Sequence, residues 1–305
     1  MKIDVVFDGG GVKGIGLIGA ICCFEDHGYE INRAAGTSAG AIIAALVSAG
    51  YSGYELKSIM MDIDYRDFFK KRKIYNMNLL RKFISLLKDK GLYSTNAVEH
   101  FIKELMLKKG KSTFYDISEN GKSKLKIVAS DVTEKNIIIL PDDLSKYGLN
   151  PMNFQVSKAV KMSISIPFYF KPVKFYHQNR CSYIVDGGIL SNFPIWIFDT
   201  KEKPLRPTIG FKLVDSNKSY SATSKMDFVS YLFDIVGTMI DKNEEIYVKD
   251  KDAVRTVFIP TLGVKATDFT ISHDMKMKLF NSGYESAKKF LRFWSFEKYI
   301  RDYYA

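Results

Sequence analysis

The ten residues Ala34-Ala35-Gly36-Thr37-Ser38-Ala39-Gly40-Ala41-Ile42-Ile43 leave the chain few ways to fold. Small residues crowd a single serine, and glycines stand two positions before it and two after it. The spacing is G-x-S-x-G, which suits a sharp strand-to-helix elbow. In such a turn the two flanking residues pass close to each other and to the next strand, so a Cβ at either place would clash. The Ala-rich run from Ala39 to Ala49, with Ile42, Ile43, Leu46 and Val47, predicts a helix packed tightly on a sheet. Its first N–H groups and positive dipole end would lie beside Ser38. The pentapeptide alone suits an ordinary turn before a buried helix equally well, so the rest of the chain has to decide.

Ahead of the elbow, Ile3 to Phe7 reads as a buried strand that empties into Asp8-Gly9-Gly10-Gly11-Val12-Lys13-Gly14, followed by a helix from Ile15 to Asp26. Gly16 and Gly19 predict close approach of that helix to the sheet. Two consecutive strand-loop-helix units of a parallel sheet deliver their loops to the same edge. The spacing Gly9-x-Gly11-x-x-Gly14 fits a dinucleotide fingerprint, but that reading needs a carboxylate at the end of the second strand to hold a ribose, and Gly36-Thr37-Ser38 stands there instead. The competing reading is an oxyanion hole, in which unshielded glycine amides point at an anionic oxygen and Lys13 adds positive potential.

Farther on, Tyr51 to Asp64 reads as a helix, and Arg66 to Lys90 as a basic amphipathic stretch carrying Lys70-Lys71-Arg72-Lys73. Such a stretch suits an anionic membrane surface, an acyl-site cover or a helix on the core. A helix is expected from Ser94-Thr95-Asn96 to Lys108, strands over Leu125–Ser130 and Asn136–Leu140, and a helix over Asn153–Met162. Val173–Tyr176 and Tyr183–Val185 read as a hairpin whose second strand ends in Asp186-Gly187-Gly188, leaving Asp186 at a strand terminus beside a cleft. Thr208–Val214 is another strand. Beyond it come a helix over Asp227–Val248, a short strand over Arg255–Ile259 and a helix ending in the aromatic tail Phe290 to Tyr304.

With 305 residues, 46% hydrophobic and 26% charged, the chain has room for one large α/β core with an appendage. A net charge of +11 calls for an anionic partner, which a phospholipid surface, a nucleic acid or an acidic metabolite would each satisfy. Cys22, Cys23 and Cys181 suit neither a disulfide framework nor a zinc site. The opening run Met1 to Phe7 is short, carries Asp4 and leads straight into glycines, so the expectation is a reduced, cytoplasmic protein.

A serine nucleophile needs a base. Of the four histidines, His27 lies at the far end of the first helix, His100 within a helical pattern and His177 in a turn. His273 alone has the late position of a hydrolase histidine, and a His273-dependent esterase or acyltransferase is the alternative it supports.

The series Asp8-Gly9-Gly10-Gly11-Val12-Lys13-Gly14, Gly36-Thr37-Ser38-Ala39-Gly40 and Asp186-Gly187-Gly188 resembles the patatin-like phospholipases in order and spacing. Ser163-Ile164-Ser165-Ile166-Pro167-Phe168 sits where that family has a similar Ser-containing, Pro-ended segment before the Asp motif, and the likeness covers residues 1 to 215. The resemblance implies a three-layer α/β/α fold with a mostly parallel central sheet, and hydrolysis of acyl esters of glycerolipids by a Ser-Asp dyad. By that likeness Ser38 is the nucleophile and Asp186 the base. Gly9, Gly10, Gly11 and Ala39 supply the oxyanion hole, and Gly14, Gly36, Gly40, Gly187 and Gly188 shape the loops. Lys13 stands where the family has arginine, which keeps the charge without the bidentate fork. No metal or cofactor is implied. The expected partners are a phospholipid or other acyl-ester lipid and an anionic membrane surface, with no nucleic acid. Residues 1–215 are expected as the catalytic domain, and 216–305 as a mainly helical extension on the same core.

Overall fold

Short apolar runs separated by glycine turns build the frame. The computed structural model describes residues 1–68, 88–177, 180–215, 231–232, 235–239 and 250–304. Its strands are β1 (Lys2–Phe7), β2 (Glu30–Thr37), β3 (Gly91–Tyr93), β4 (Ser118–Glu119), β5 (Lys122–Ser123), β6 (Leu125–Asp131), β7 (Asn136–Leu140), β8 (Phe168–Phe170), β9 (Val173–His177), β10 (Arg180–Asp186), β11 (Thr208–Val214) and β12 (Thr256–Pro260). The helices are α1 (Ile15–Asp26), α2 (Ala39–Ser48), α3 (Gly53–Asp62), α4 (Asn96–Lys108), α5 (Val156–Ser163), the single turn α6 (Asp250–Ala253), α7 (His273–Leu291) and α8 (Phe296–Tyr304).

The central sheet runs β12-β11-β1-β2-β6-β10-β9, with β7 also on β6. Its first five strands are mutually parallel, while β10 and β7 run antiparallel to β6. On the two faces of this sheet, alternate residues enter different cores, as the two-residue period of a strand requires. Val5, Phe7 and Ala34 face the large cluster formed with α1, α2, α4, α5 and α7, whereas Val6 and Ala35 face Ile195 and Phe198. This is the expected α/β/α arrangement around a mostly parallel sheet.

One strand edge decides where the loops meet. β7 covers Ile127–Asp131 of β6 on one side, so β2 and β10 must share the other. β2 pairs with Leu125–Val128 and β10 with Ala129–Asp131, from opposite directions. The carboxyl ends of β2 and β10 therefore converge, Thr37 opposite Val128 and Asp186 opposite Ala129.

Helix α1 departs from the expectation for its glycines. A Cβ on Gly19 would meet the Phe280 carbonyl, and one on Gly283 would meet that of Gly16. Close approach is thus chiefly to α7, with the Ile259 side chain of β12 3.1 Å from the Gly16 Cβ position. Residues beyond 215 therefore add an edge strand to the same sheet and a helix to the same core. The basic run Lys70–Lys73 and the apolar stretch 79–87 lie outside the described residues, as does most of the stretch 227–248.

Candidate active site

The elbow forms as the glycine spacing requires. Ser38 sits between β2 and α2 with φ 53° and ψ −121°, a conformation that side chains avoid and that packing must enforce. A Cβ on Gly36 would collide with the backbone of Gly40. One on Gly40 would lie 2.5 Å from the Phe7 carbonyl oxygen and 2.6 Å from that of Asp8. Only hydrogen at both places lets the helix return over β1. The Ser38 amide donates to Ser163 Oγ at 2.9 Å, and its hydroxyl donates to Asp186 Oδ2 at 2.7 Å.

Asp186 is held from two further sides. Its Oδ1 accepts from the Gly188 amide at 2.8 Å, and its own amide donates to the Ser165 carbonyl at 2.9 Å. One carboxylate oxygen is thereby fixed to the turn and the other aimed at Ser38. Burial pushes the carboxyl up to about 7, against the opposing pull of the Ser38 hydroxyl and the Gly188 amide. A carboxylate that holds a proton near neutrality is a far better base for a serine hydroxyl than an exposed one.

The glycine loop lies alongside. Asp8, buried at its start, accepts from Asn192 Nδ2 at 2.8 Å through Oδ1 and from the Leu213 amide at 3.1 Å through Oδ2. Burial raises the Asp8 carboxyl to about 6, opposed first by Lys212 and more weakly by Lys13. The Gly9 amide donates to the Asn192 carbonyl at 3.2 Å, which corrects its expected place among the oxyanion donors: that N–H is already spent. The amides of Gly10, Gly11 and Ala39 have no acceptor among the described residues. Gly11 adopts φ 55°, and a Cβ there would strike the Ala266 carbonyl, which also accepts from the Val12 amide at 3.1 Å. Lys13 is half-buried; its amide donates to the Gly10 carbonyl at 3.1 Å, while its side chain forms no hydrogen bond or ion pair with a described residue.

Three loops distant in sequence thus meet at one sheet edge. A hydroxyl paired with a buried carboxylate, next to uncommitted amides, can attack a carbonyl carbon and hold the oxyanion that results. His273 is not part of this group. It is exposed in the first turn of α7 and makes no hydrogen bond to Ser38, so nothing in this geometry supports the histidine-dependent alternative. His27 instead lies 2.7 Å from the Cys23 carbonyl at the end of α1. The nucleotide alternative also lapses, since β2 ends in the serine elbow with no ribose-binding carboxylate. Ser163 belongs to the Ser-containing, Pro-ended segment that the resemblance pointed to, though without a role, whereas Asn192 and Ala266 were not foreseen; each is a neutral residue with no motif of its own.

Comparison with known proteins bears on the family and the fold. A family model described as patatin-like phospholipase matches residues 5–199. The uncharacterised protein YqhO of Bacillus subtilis (strain 168) is 36% identical over 296 residues, covering 97% of this chain and 100% of YqhO. Protein R571 of Acanthamoeba polyphaga mimivirus is 27% identical, covering 94% of this chain and 92% of its own. A protein of invertebrate iridescent virus 6 named probable lipid hydrolase 463L is 28% identical, covering 63% of this chain and 61% of its own. Among solved structures, VipD from Legionella pneumophila superposes with a TM-score of 0.57 at 15% identity, covering 95% of this chain and 66% of VipD. ExoU in its heterodimeric complex with SpcU from Pseudomonas aeruginosa gives 0.55 at 16% identity, covering 98% of this chain and 52% of that one. The chain spans between half and two-thirds of these solved proteins, and at such identities the likeness is one of fold. With a family model over most of its length and a full-length relative at 36% identity, the chain belongs to the patatin-like phospholipase family.

Proposed function

We propose that this chain is a serine lipid acyl hydrolase that cleaves fatty-acyl esters of glycerophospholipids through an acyl-Ser38 intermediate, with Asp186 as general base. The observation that carries the reading is the 2.7 Å hydrogen bond from Ser38 Oγ to a buried Asp186 carboxylate. Family membership supports lipid acyl hydrolysis as the activity class. In acylation, Ser38 Oγ attacks the ester carbonyl carbon while its proton passes to Asp186. The charge that develops on the carbonyl oxygen falls to the amides of Gly10, Gly11 and Ala39. Donors of this kind are each worth about 2.7–4 kcal/mol in transition-state stabilisation. Collapse expels the lysolipid alkoxide, which takes the proton back from Asp186. Water then attacks the acyl-enzyme, giving its proton to Asp186, and the fatty acid leaves as Ser38 Oγ recovers that proton.

The charge of +11 supports peripheral contact with an anionic lipid surface. Among the described residues no helix is long and apolar enough to cross a membrane. Labelling with a fluorophosphonate and mass analysis of products released from phospholipid vesicles test the assignment. Ser38→Ala and Asp186→Ala, each folded, should lose ester hydrolysis, and full turnover in either would sink it.

A further inference from the structure

We propose that Ser163 is a positioning residue for the reaction, holding the elbow in the one conformation that aims Ser38 at Asp186; this rests on reading Ser38 as the nucleophile. Ser163 is the last residue of α5 and is wholly buried. Its hydroxyl accepts from the Ser38 amide at 2.9 Å and donates to the Val128 carbonyl at 2.6 Å. Both capacities of that hydroxyl are therefore spent between the elbow and the strand beside it. Val128 is also the β6 residue opposite Thr37, one position before Ser38. A turn with φ 53° at a serine does not hold itself, so its amide needs a fixed acceptor.

The same short segment holds the other half of the dyad. The Ser165 carbonyl accepts the Asp186 amide at 2.9 Å, and the Ser165 hydroxyl donates to the Lys161 carbonyl at 2.7 Å, tying the segment to the end of α5. Nucleophile and base are thus referenced to one piece of backbone, Ser163 to Ser165, rather than to each other alone. Because the Ser38 N–H is consumed by Ser163, it is not an oxyanion donor, and the amides of Gly10, Gly11 and Ala39 are left for that task. Ser163 touches no reacting atom; it acts through the placement of Ser38.

Ser163→Ala removes the bridge and leaves the Ser38 amide and the Val128 carbonyl unpaired. Misplacement of a nucleophile on the scale of an ångström costs up to about a hundredfold in rate. The expected result is a kcat reduced by about tenfold to a hundredfold with KM within about twofold of the parent, and fluorophosphonate labelling slowed in parallel. The pH midpoint of kcat should not move, because the burial of Asp186 is untouched; loosened packing that admitted water to Asp186 would shift it toward an ordinary carboxylate. Ser163→Thr, which retains the hydroxyl, should stay well above the alanine variant and serves if Ser163→Ala does not fold. Parent-like kcat and labelling in folded Ser163→Ala, with Ser38→Ala unlabelled, would overturn the role of Ser163 and leave the nucleophile assignment standing. A threonine variant as impaired as the alanine one, or a displaced pH midpoint, would also overturn it. Failure of the parent protein to label at Ser38 would overturn both readings.

Discussion

Asn192 Nδ2 donates to Asp8 Oδ1 over 2.8 Å, while the Asn192 carbonyl accepts the Gly9 amide at 3.2 Å. One residue, through its side chain and its backbone carbonyl, thereby joins the loop that follows Asp186 to the loop that supplies the proposed oxyanion donors. Replacing Asn192 by alanine strands a buried carboxylate oxygen, at a cost of about 1–3 kcal/mol. The expected outcome is a lower melting temperature and a fall in kcat larger than any change in KM, measured by thermal unfolding and steady-state hydrolysis of a short-chain ester.

Asp186 couples activity and stability with opposite signs. Its carboxyl is pushed up to about 7, so hydrolysis should rise with pH through a midpoint near that value as the base loses its proton. The folded state holds the proton more tightly than the unfolded chain, whose carboxyl titrates near 3.9. The stabilisation is thus complete below about 3.9 and is lost as pH rises through 7. Asp8, raised to about 6, has the same sign. Asp186→Asn should abolish activity yet unfold at a higher denaturant concentration than the parent at pH 8. That advantage should shrink toward pH 4, each tenfold change in proton affinity being worth about 1.4 kcal/mol. Denaturant titrations of both proteins at the two pH values check this.

Glycines of the motifs are not equivalent. Gly40→Ala would drive a methyl group to within 2.5 Å of the Phe7 carbonyl, and the elbow should not form. A loss above about 3 kcal/mol, seen as failure to fold or to label at Ser38, is expected. Gly14→Ala meets only Ala39 Cβ at 3.4 Å and Ile43 Cδ1 at 3.5 Å, ordinary contacts, and Gly14 has φ −55°. That variant should keep its activity and match or exceed the parent in stability, since alanine narrows the unfolded ensemble.

Lys13 supplies charge near the glycine loop without an ion-pair partner among the described residues. Lys13→Ala should slow hydrolysis of an anionic phospholipid by up to about fivefold, the worth of a partly exposed charge contact, and leave a neutral ester less affected. Lys13→Arg should preserve the anionic rate. Removing the charge also frees Asp8 to rise further, since Lys13 lowers its carboxyl in the parent.

His273→Ala should leave turnover of any ester within about twofold of the parent, because the imidazole is exposed at the start of α7 and away from Ser38's hydrogen bonds. Parallel progress curves for the two proteins measure it.

The three loops were legible because each is forced by sterics or charge at short range. Gly36 and Gly40 report the elbow, the three consecutive glycines report exposed amides, and Asp186 with two glycines reports a carboxylate at a strand end. The segment that begins at Ser163 was legible by resemblance, but its bond to Ser38 was not, nor was the part played by Asn192, because those bonds reach 125 and 184 residues along the chain and a buried neutral hydroxyl or amide leaves no periodic trace. The glycines of α1 were read against the sheet, yet their main neighbour is α7, more than 250 residues farther on, as Gly19 against Phe280 shows. Helix α5 starts at Val156 rather than at the expected Asn153 for a local reason. The Asn150 side chain takes the amides of Met152 and Asn153, and the Phe154 carbonyl is bound by the Phe114 amide.

The meeting of β2 and β10 on one edge of β6 makes that strand a ruler for the active centre. The proposed nucleophile and base, Ser38 and Asp186, are placed by adjacent graduations, Val128 and Ala129, and the 148-residue separation between them in sequence never enters the measurement. Insertions in the surface segments between the two leave the ruler unread and the Ser38–Asp186 pair in place. A single residue added between Val128 and Ala129 would part the two strand ends by about 3.3 Å and turn everything beyond it to the opposite face. Surface segments between the two loops are thus free to diversify, but the length of β6 and the Ser163–Ser165 segment are not.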